Sequence, residues 1–292
     1  MTQEAANRPT LREAGLDFYR YGYFARPMRR DQIPSQPLTD DRWFDLQDLI
    51  GRLTRGDFSA AHELLKCSRQ TADWRLKAVA TSVLGHAGSV DCFREMRGEL
   101  ESLSTKQAAT VDVATRELIL LYARAFASWG RLDVVPVLLD HYLTLRTRRT
   151  PEIALLPLLM ADLLSDDPGT MIAHEPPEDQ LEEYLNFVMN QYDALVEELG
   201  SDKVLLFRGA LQSTRGIAES MRHVSTSYVA SELHTLRRRF EPATGIDCSE
   251  IFLGTSVRPL VAAEIAERFL ESSEAVRFEP GLRYFFGHHV PD

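Results

Sequence analysis

From Asp41 onward, apolar residues recur at steps of three and four, the period of a helix buried along one face. Trp43, Phe44, Leu46, Leu49, Ile50 and Leu53 make the first stripe, and residues 58–65 a second. Trp74, Leu76, Val79, Ala80, Val83 and Leu84 predict a third helix, ending at residues 85–88. Ser89 is placed to cap a fourth, with Val90, Phe93, Met96 and Leu100 inward. Residues 110–129 read as a long helix stopped by Gly130, with residues 132–145 as its return. Pro151 suits the first turn of a helix that runs to Leu164. Leu181, Tyr184, Leu185, Val188, Tyr192, Leu195 and Leu199 form a strongly amphipathic helix closed by Gly200. Residues 203–222 and 226–239 continue the helical series, and no stretch alternates as a strand does.

Gly56, Gly88, Gly130 and Gly200 each stand just past a predicted helix, where glycine can take the left-handed conformation that closes a C-terminus. Gly88 and Gly130 lie 42 residues apart, the period of HEAT-type helix pairs, while the other spacings are less regular. The expectation is an all-α fold, an irregular HEAT-like α-solenoid of antiparallel helix pairs, with roughly twelve to fourteen helices. An ordinary helical bundle fits the same pattern. Residues 1–40, with Tyr19, Tyr21, Tyr23, Phe24 and three spaced prolines, read as a loop-rich N-terminal arm, and residues 41–292 as a single helical domain. The C-terminal run 278–289 is also dense in aromatics, which either cap the last helices or form an interface.

Charge changes this picture. The chain has 43 acids and 33 bases. Between Thr150 and Asp202 there is no lysine or arginine, yet thirteen acids; without them the remainder holds 30 acids against 33 bases. All of the net negative charge therefore comes from one segment. Such a field attracts a basic partner and repels nucleic acid and anionic membrane.

Chemistry is harder to find. There is no glycine-rich phosphate loop, nucleophile elbow or His-Glu-x-x-His helix, so no catalytic residue, metal ligand or cofactor is expected. Cys67, Cys92 and Cys248 are odd in number and far apart, which suits reduced thiols better than disulfides or zinc. The N-terminus lacks the apolar core of a signal peptide, and the most apolar run, 153–164, is too short to span a bilayer. A cytoplasmic location follows as an expectation. The basic clusters Arg146-Arg148-Arg149 and Arg237-Arg238-Arg239 sit near predicted helix ends, where cations complement the dipole, so they read as structural and not as phosphate contacts.

Gly245-Ile246-Asp247-Cys248, then Arg258-Pro259-Leu260, then Phe278-Glu279-Pro280-Gly281 with Arg283-Tyr284-Phe285-Phe286-Gly287-His288, resembles helical immunity proteins of bacterial polymorphic toxin and type VI secretion systems. The likeness covers about fifty residues, and elsewhere only the helical-repeat character. It implies a cytoplasmic protein that binds a cognate toxin domain and blocks it by occlusion, without catalysis. The acidic segment is a separate indication of the same kind, since a toxin acting on nucleic acid or nucleotides tends to carry a basic cleft. Asp166, Asp167, Glu175, Glu178, Asp179, Glu182 and Glu183 are the expected partner contacts. The other class of reading is a helical-repeat scaffold for an endogenous basic protein.

Overall fold

The computed structural model describes residues 41–106, 113–146, 151–167, 169–227, 230–253 and 256–292. The expected arm 1–40, together with Arg148 and Arg149, lies outside them. Among the described residues the fold is all-α, as the periodicity predicts. Eleven α-helices carry it: α1 (Arg42–Thr54), α2 (Ala60–Gln70), α3 (Trp74–Ala87), α4 (Val90–Lys106), α5 (Val113–Trp129), α6 (Val135–Arg146), α7 (Leu155–Leu164), α8 (Leu181–Leu199), α9 (Thr214–Ser227), α10 (Ala230–Thr244) and α11 (Pro259–Glu271). Three antiparallel hairpins of two-residue strands interrupt them: β1 (Leu206–Phe207) with β2 (Ala210–Leu211), β3 (Phe252–Leu253) with β4 (Ser256–Val257), and β5 (Tyr284–Phe285) with β6 (His288–His289). Short 3-10 turns lead into several helices, including one at Pro151–Ala154 that the proline starts.

The helices of 41–292, read from sequence as one domain, gather into two compact units. The first joins residues up to Ser89 with residues 213–292. In it α1, α2 and α3 pack on one another, and α9 packs on both α10 and α11. Trp43, Leu46, Leu53, Leu64, Leu76 and Leu84 are fully buried on the inward stripes of the first three helices. Each such side chain contributes roughly 1.5–3 kcal/mol by leaving water. The hairpin β5–β6 links the two groups of helices. Phe285 is fully buried, Arg283 donates from Nη2 to the carbonyl of Gly88 at 2.5 Å, and the Phe286 and Gly287 amides donate to Pro242 O and Ala243 O at the end of α10. That contact spans 195 residues of sequence. A strictly linear array, in which each repeat touches only its neighbours, does not make one.

The second unit is Val90–Gln212. Here α5 packs on α4, α6 and α7, and α8 covers α6 and α7. The chain after α8 returns past the α5–α6 turn, with Leu132 N on Val204 O, Asp133 N on Asp202 O and Leu206 N on Gly130 O. It then makes the hairpin β1–β2, whose Gly209 lies against the backbone of Leu164: an added Cβ would stand 3.0 Å from that carbonyl.

Three expectations are corrected by these elements. Residues 203–212 are a turn and a hairpin, not the start of a helix, and α9 begins at Thr214. Gly56, Gly130 and Gly200 have positive φ, but Gly88 is extended at φ −70° and ψ 147° and serves instead as the acceptor for Arg283. Arg237 and Arg239 are buried within α10, which runs on to Thr244, and do not stand at a helix end where they would complement the dipole.

Candidate partner-binding surface

The acidic segment folds as an extended loop with short 3-10 turns at Met171–Ala173 and Glu178–Gln180, followed by α8. Its shape comes from a few local bonds. Asp167 accepts from the Gly169 amide through Oδ1 at 2.8 Å and makes the first turn. Thr170 then starts the next one, its Oγ1 accepting from Ile172 N. Ile172 is fully buried, and Tyr184 on α8 donates to the Ile172 carbonyl at 3.1 Å. Burial pushes the Tyr184 phenol well above its usual range, so it remains a proton donor.

The far side of the loop is held by one base from outside the acidic run. Arg146, the last residue of α6, is only 10% exposed in its side chain. Its Nη1 donates to Tyr142 Oη at 2.5 Å and to Pro176 O at 2.9 Å, and its Nη2 donates to Glu178 at 3.1 Å. Glu175 lies 3.7 Å away. The sequence reading of Arg146 as a dipole-matched helix end is therefore incomplete. The signal for its role was the cluster Arg146-Arg148-Arg149 standing immediately before a base-free acidic run.

All seven expected contacts are exposed. The structure divides them into two kinds. Asp167 is engaged in its own turn, while Glu175 and Glu178 lean on Arg146. Asp166, Asp179, Glu182 and Glu183 make no ion pair among the described residues. The last two lie in the first turn of α8, where negative charge complements the helix N-terminus. Met171, 37% exposed, places an apolar side chain between the two halves of the acidic loop.

In the first unit, a groove of about 640 Å³ runs between α11, residues 244–250 and the tip of the β5–β6 hairpin. Part of its wall comes from the segments that carry the resemblance: Ile246, Asp247, Phe278, Phe286, Gly287 and His288 all line it. Behind it the aromatic C-terminus packs inward, with Phe269, Phe278 and Tyr284 in succession, the first pair edge-on and the second tilted, at centroid distances of 5.4 and 4.8 Å. In the second unit a smaller cavity of about 240 Å³ lies over the Phe93–Trp129 stack (3.7 Å between centroids), with Arg131 over Trp129.

Cys67, Cys92 and Cys248 are free thiols and buried. Among the described residues, no three His, Cys, Asp or Glu side chains gather as a metal site, and no helix is long and apolar enough to cross a membrane. No protein-family model, curated protein or solved structure matches this chain.

Proposed function

We propose that this protein is a stoichiometric binding protein that offers the acidic loop and the start of α8 to a basic surface of a protein partner. One observation carries this: Asp166, Asp179, Glu182 and Glu183 are exposed and make no ion pair among the described residues, on a loop and first turn of α8 that Arg146 and Tyr184 hold in place. A solvated acidic face needs no such fixing. Exposed Met171 supplies the apolar anchor that an interface core uses, and methionine is enriched at interfaces. Fixed carboxylates also lower the ordering cost of binding.

The resemblance in residues 245–288 gives the partner a class. On that reading it is a toxin domain with a basic cleft, and the protein is its cytoplasmic immunity factor, acting by occlusion. The charge supports fast, salt-sensitive association with such a cleft. The test is co-expression with a toxin domain encoded beside this chain, using wild type and the variant Asp166→Lys, Asp179→Lys, Glu182→Lys, Glu183→Lys. We expect the variant to fold, but to lose both pull-down and protection of growth. If it protects as well as wild type, the loop is not the interface. If no neighbouring toxin exists but the wild type captures a basic endogenous protein through the same acids, the scaffold reading replaces immunity.

A further inference from the structure

The groove of the first unit has the build of a second docking site. Its floor takes apolar side chains from separate segments: Val261 and Ile265 on α11, Ile246 after α10, and Phe286 at the hairpin tip, all only partly covered. Val261, Ile265 and Phe269 follow at four-residue steps, so one continuous face of α11 lies along the groove. Phe286 has φ 48°, a left-handed conformation that bulky side chains avoid. Asparagine or glycine would relax that turn, which joins β5 to β6 through Phe286 and Gly287 alone. A strained aromatic at a half-open groove is an observation from which function can be argued.

The rim decides the occupant. Four carboxylates (Asp247, Glu250, Glu264, Glu274) face two guanidiniums, and both guanidiniums are already neutralised: Arg268 on Glu264 at 2.7 Å and Arg277 on Glu274 at 2.9 Å. Glu250 has no ion pair among the described residues. Every one of these charged side chains is exposed. Small-molecule sites instead converge a few polar groups inside an apolar pocket. Here the polar groups ring the edge, as in grooves that take an amphipathic segment of another protein. We propose that this groove docks a segment of a protein partner carrying leucine- or phenylalanine-like side chains flanked by lysine or arginine. This site stands on its own residues and does not require the acidic loop.

The probe is a fluorescent helical peptide of leucine and lysine with its leucines on one face, titrated against the full chain by anisotropy. A matched peptide with glutamate in place of lysine is the control. Binding of the lysine peptide should exceed that of the glutamate peptide by about tenfold or more, and Ile265→Lys should remove about as much. Glu250→Lys, which leaves the floor intact, should weaken binding in the same direction should Ile265→Lys fail to fold. The four-lysine loop variant should bind as wild type does, and a photo-leucine peptide should cross-link within residues 261–268 or 286–288. Equal binding by the glutamate peptide, indifference to both groove variants, cross-links on residues 166–183, or no binding at all would each overturn the proposal. So would a dimer of the chain itself that Ile265→Lys dissolves, since the occupant would then be a second copy.

Discussion

The acidic loop of the second unit and the aromatic C-terminus of the first are the two compositionally extreme stretches of this chain, and they meet water in opposite ways. Each is tied down by an almost buried arginine that reaches a backbone carbonyl: Arg146 to Pro176, and Arg283 to Gly88. Beyond that anchor they diverge. The loop keeps its carboxylates outward, and four of them have no counter-charge among the described residues. The C-terminus turns Phe278, Tyr284 and Phe285 inward and leaves mainly Phe286 and the histidines at the surface. Dense aromatics are thus explained by the core they build, whereas dense like charge is not explained by anything inside its own unit. That asymmetry is why the loop carries the functional reading, and mutations should break the two regions differently.

The largest effect should fall on the hairpin. Phe285 is fully buried and belongs to the strand that contacts both α3 and α10. Phe285→Ala should cost about 3–5 kcal/mol, the usual range for a phenylalanine cavity. Urea denaturation would show it as a lower midpoint with unchanged slope. A loss below about 1 kcal/mol would mean that the hairpin is an appendage and not a link.

Beneath that hairpin, Glu241 gives the next effect and a pH dependence. It is fully buried, and its carboxylate lies 2.6 Å from Arg237. Desolvation raises its pKa, the charge of Arg237 lowers it and that of Asp247 raises it again; the net is a value of about 7. Burial therefore outweighs the ion pair. The folded-state value lies above the unfolded one, so the stabilising contribution is complete below the ordinary carboxyl range and disappears as pH rises through about 7. Glu241→Gln should then be more stable than wild type at pH 8, by up to about 3 kcal/mol, and should converge with it near pH 4.5. Thermal melts of both proteins across that window test the sign. Measuring the difference between them also cancels His86, which burial and the charges of Arg239, Arg238 and Arg283 hold well below its usual range.

Much of this architecture was legible beforehand because helices announce themselves locally. Three-to-four periodicity placed α1, α5 and α8, Pro151 started the turn before α7, and Gly130 and Gly200 stopped their helices in the left-handed conformation. The hairpins were not legible. Arg208-Gly209 and Phe286-Gly287 are two-residue turns with positive φ at both positions, but arginine and phenylalanine stand where asparagine or aspartate would have signalled the turn. Residues 203–212 consequently read as helix, since Val204, Phe207 and Leu211 also fall at three- and four-residue steps. The candidate surface was half legible. Sequence gave the missing bases but not Arg146, which comes from outside the run and removes Glu175 and Glu178 from the set of unmatched acids.

Arg146 therefore provides the third test, smaller in stability and sharper in locality. Arg146→Met keeps the apolar stem but deletes the bonds to Tyr142, Pro176 and Glu178. We expect a loss of about 1–2 kcal/mol, with amide exchange accelerating in residues 171–180 while the core of the first unit is unchanged. Partner association should weaken although every acid remains, because the carboxylates would have to be ordered on binding. Uniform acceleration across the chain would show that Arg146 supports the whole unit and not the loop.

The smallest effect is the one on which the comparison turns. If the four unmatched carboxylates serve a partner, removing their charge should hardly affect the folded protein. Asp166→Asn, Asp179→Asn, Glu182→Gln, Glu183→Gln loses the favourable interaction of Glu182 and Glu183 with the N-terminus of α8, worth roughly 0.3–1 kcal/mol each at low salt. It also relieves repulsion among neighbouring like charges, a term of similar size and opposite sign. The two should leave stability within about 0.5 kcal/mol of wild type, and added salt should shrink even that difference. A loss of 2 kcal/mol or more would make these acids structural, on a par with the buried rings of the hairpin. The surface would then have no surplus charge to offer a partner, and the groove along α11 would be the remaining place to look for one.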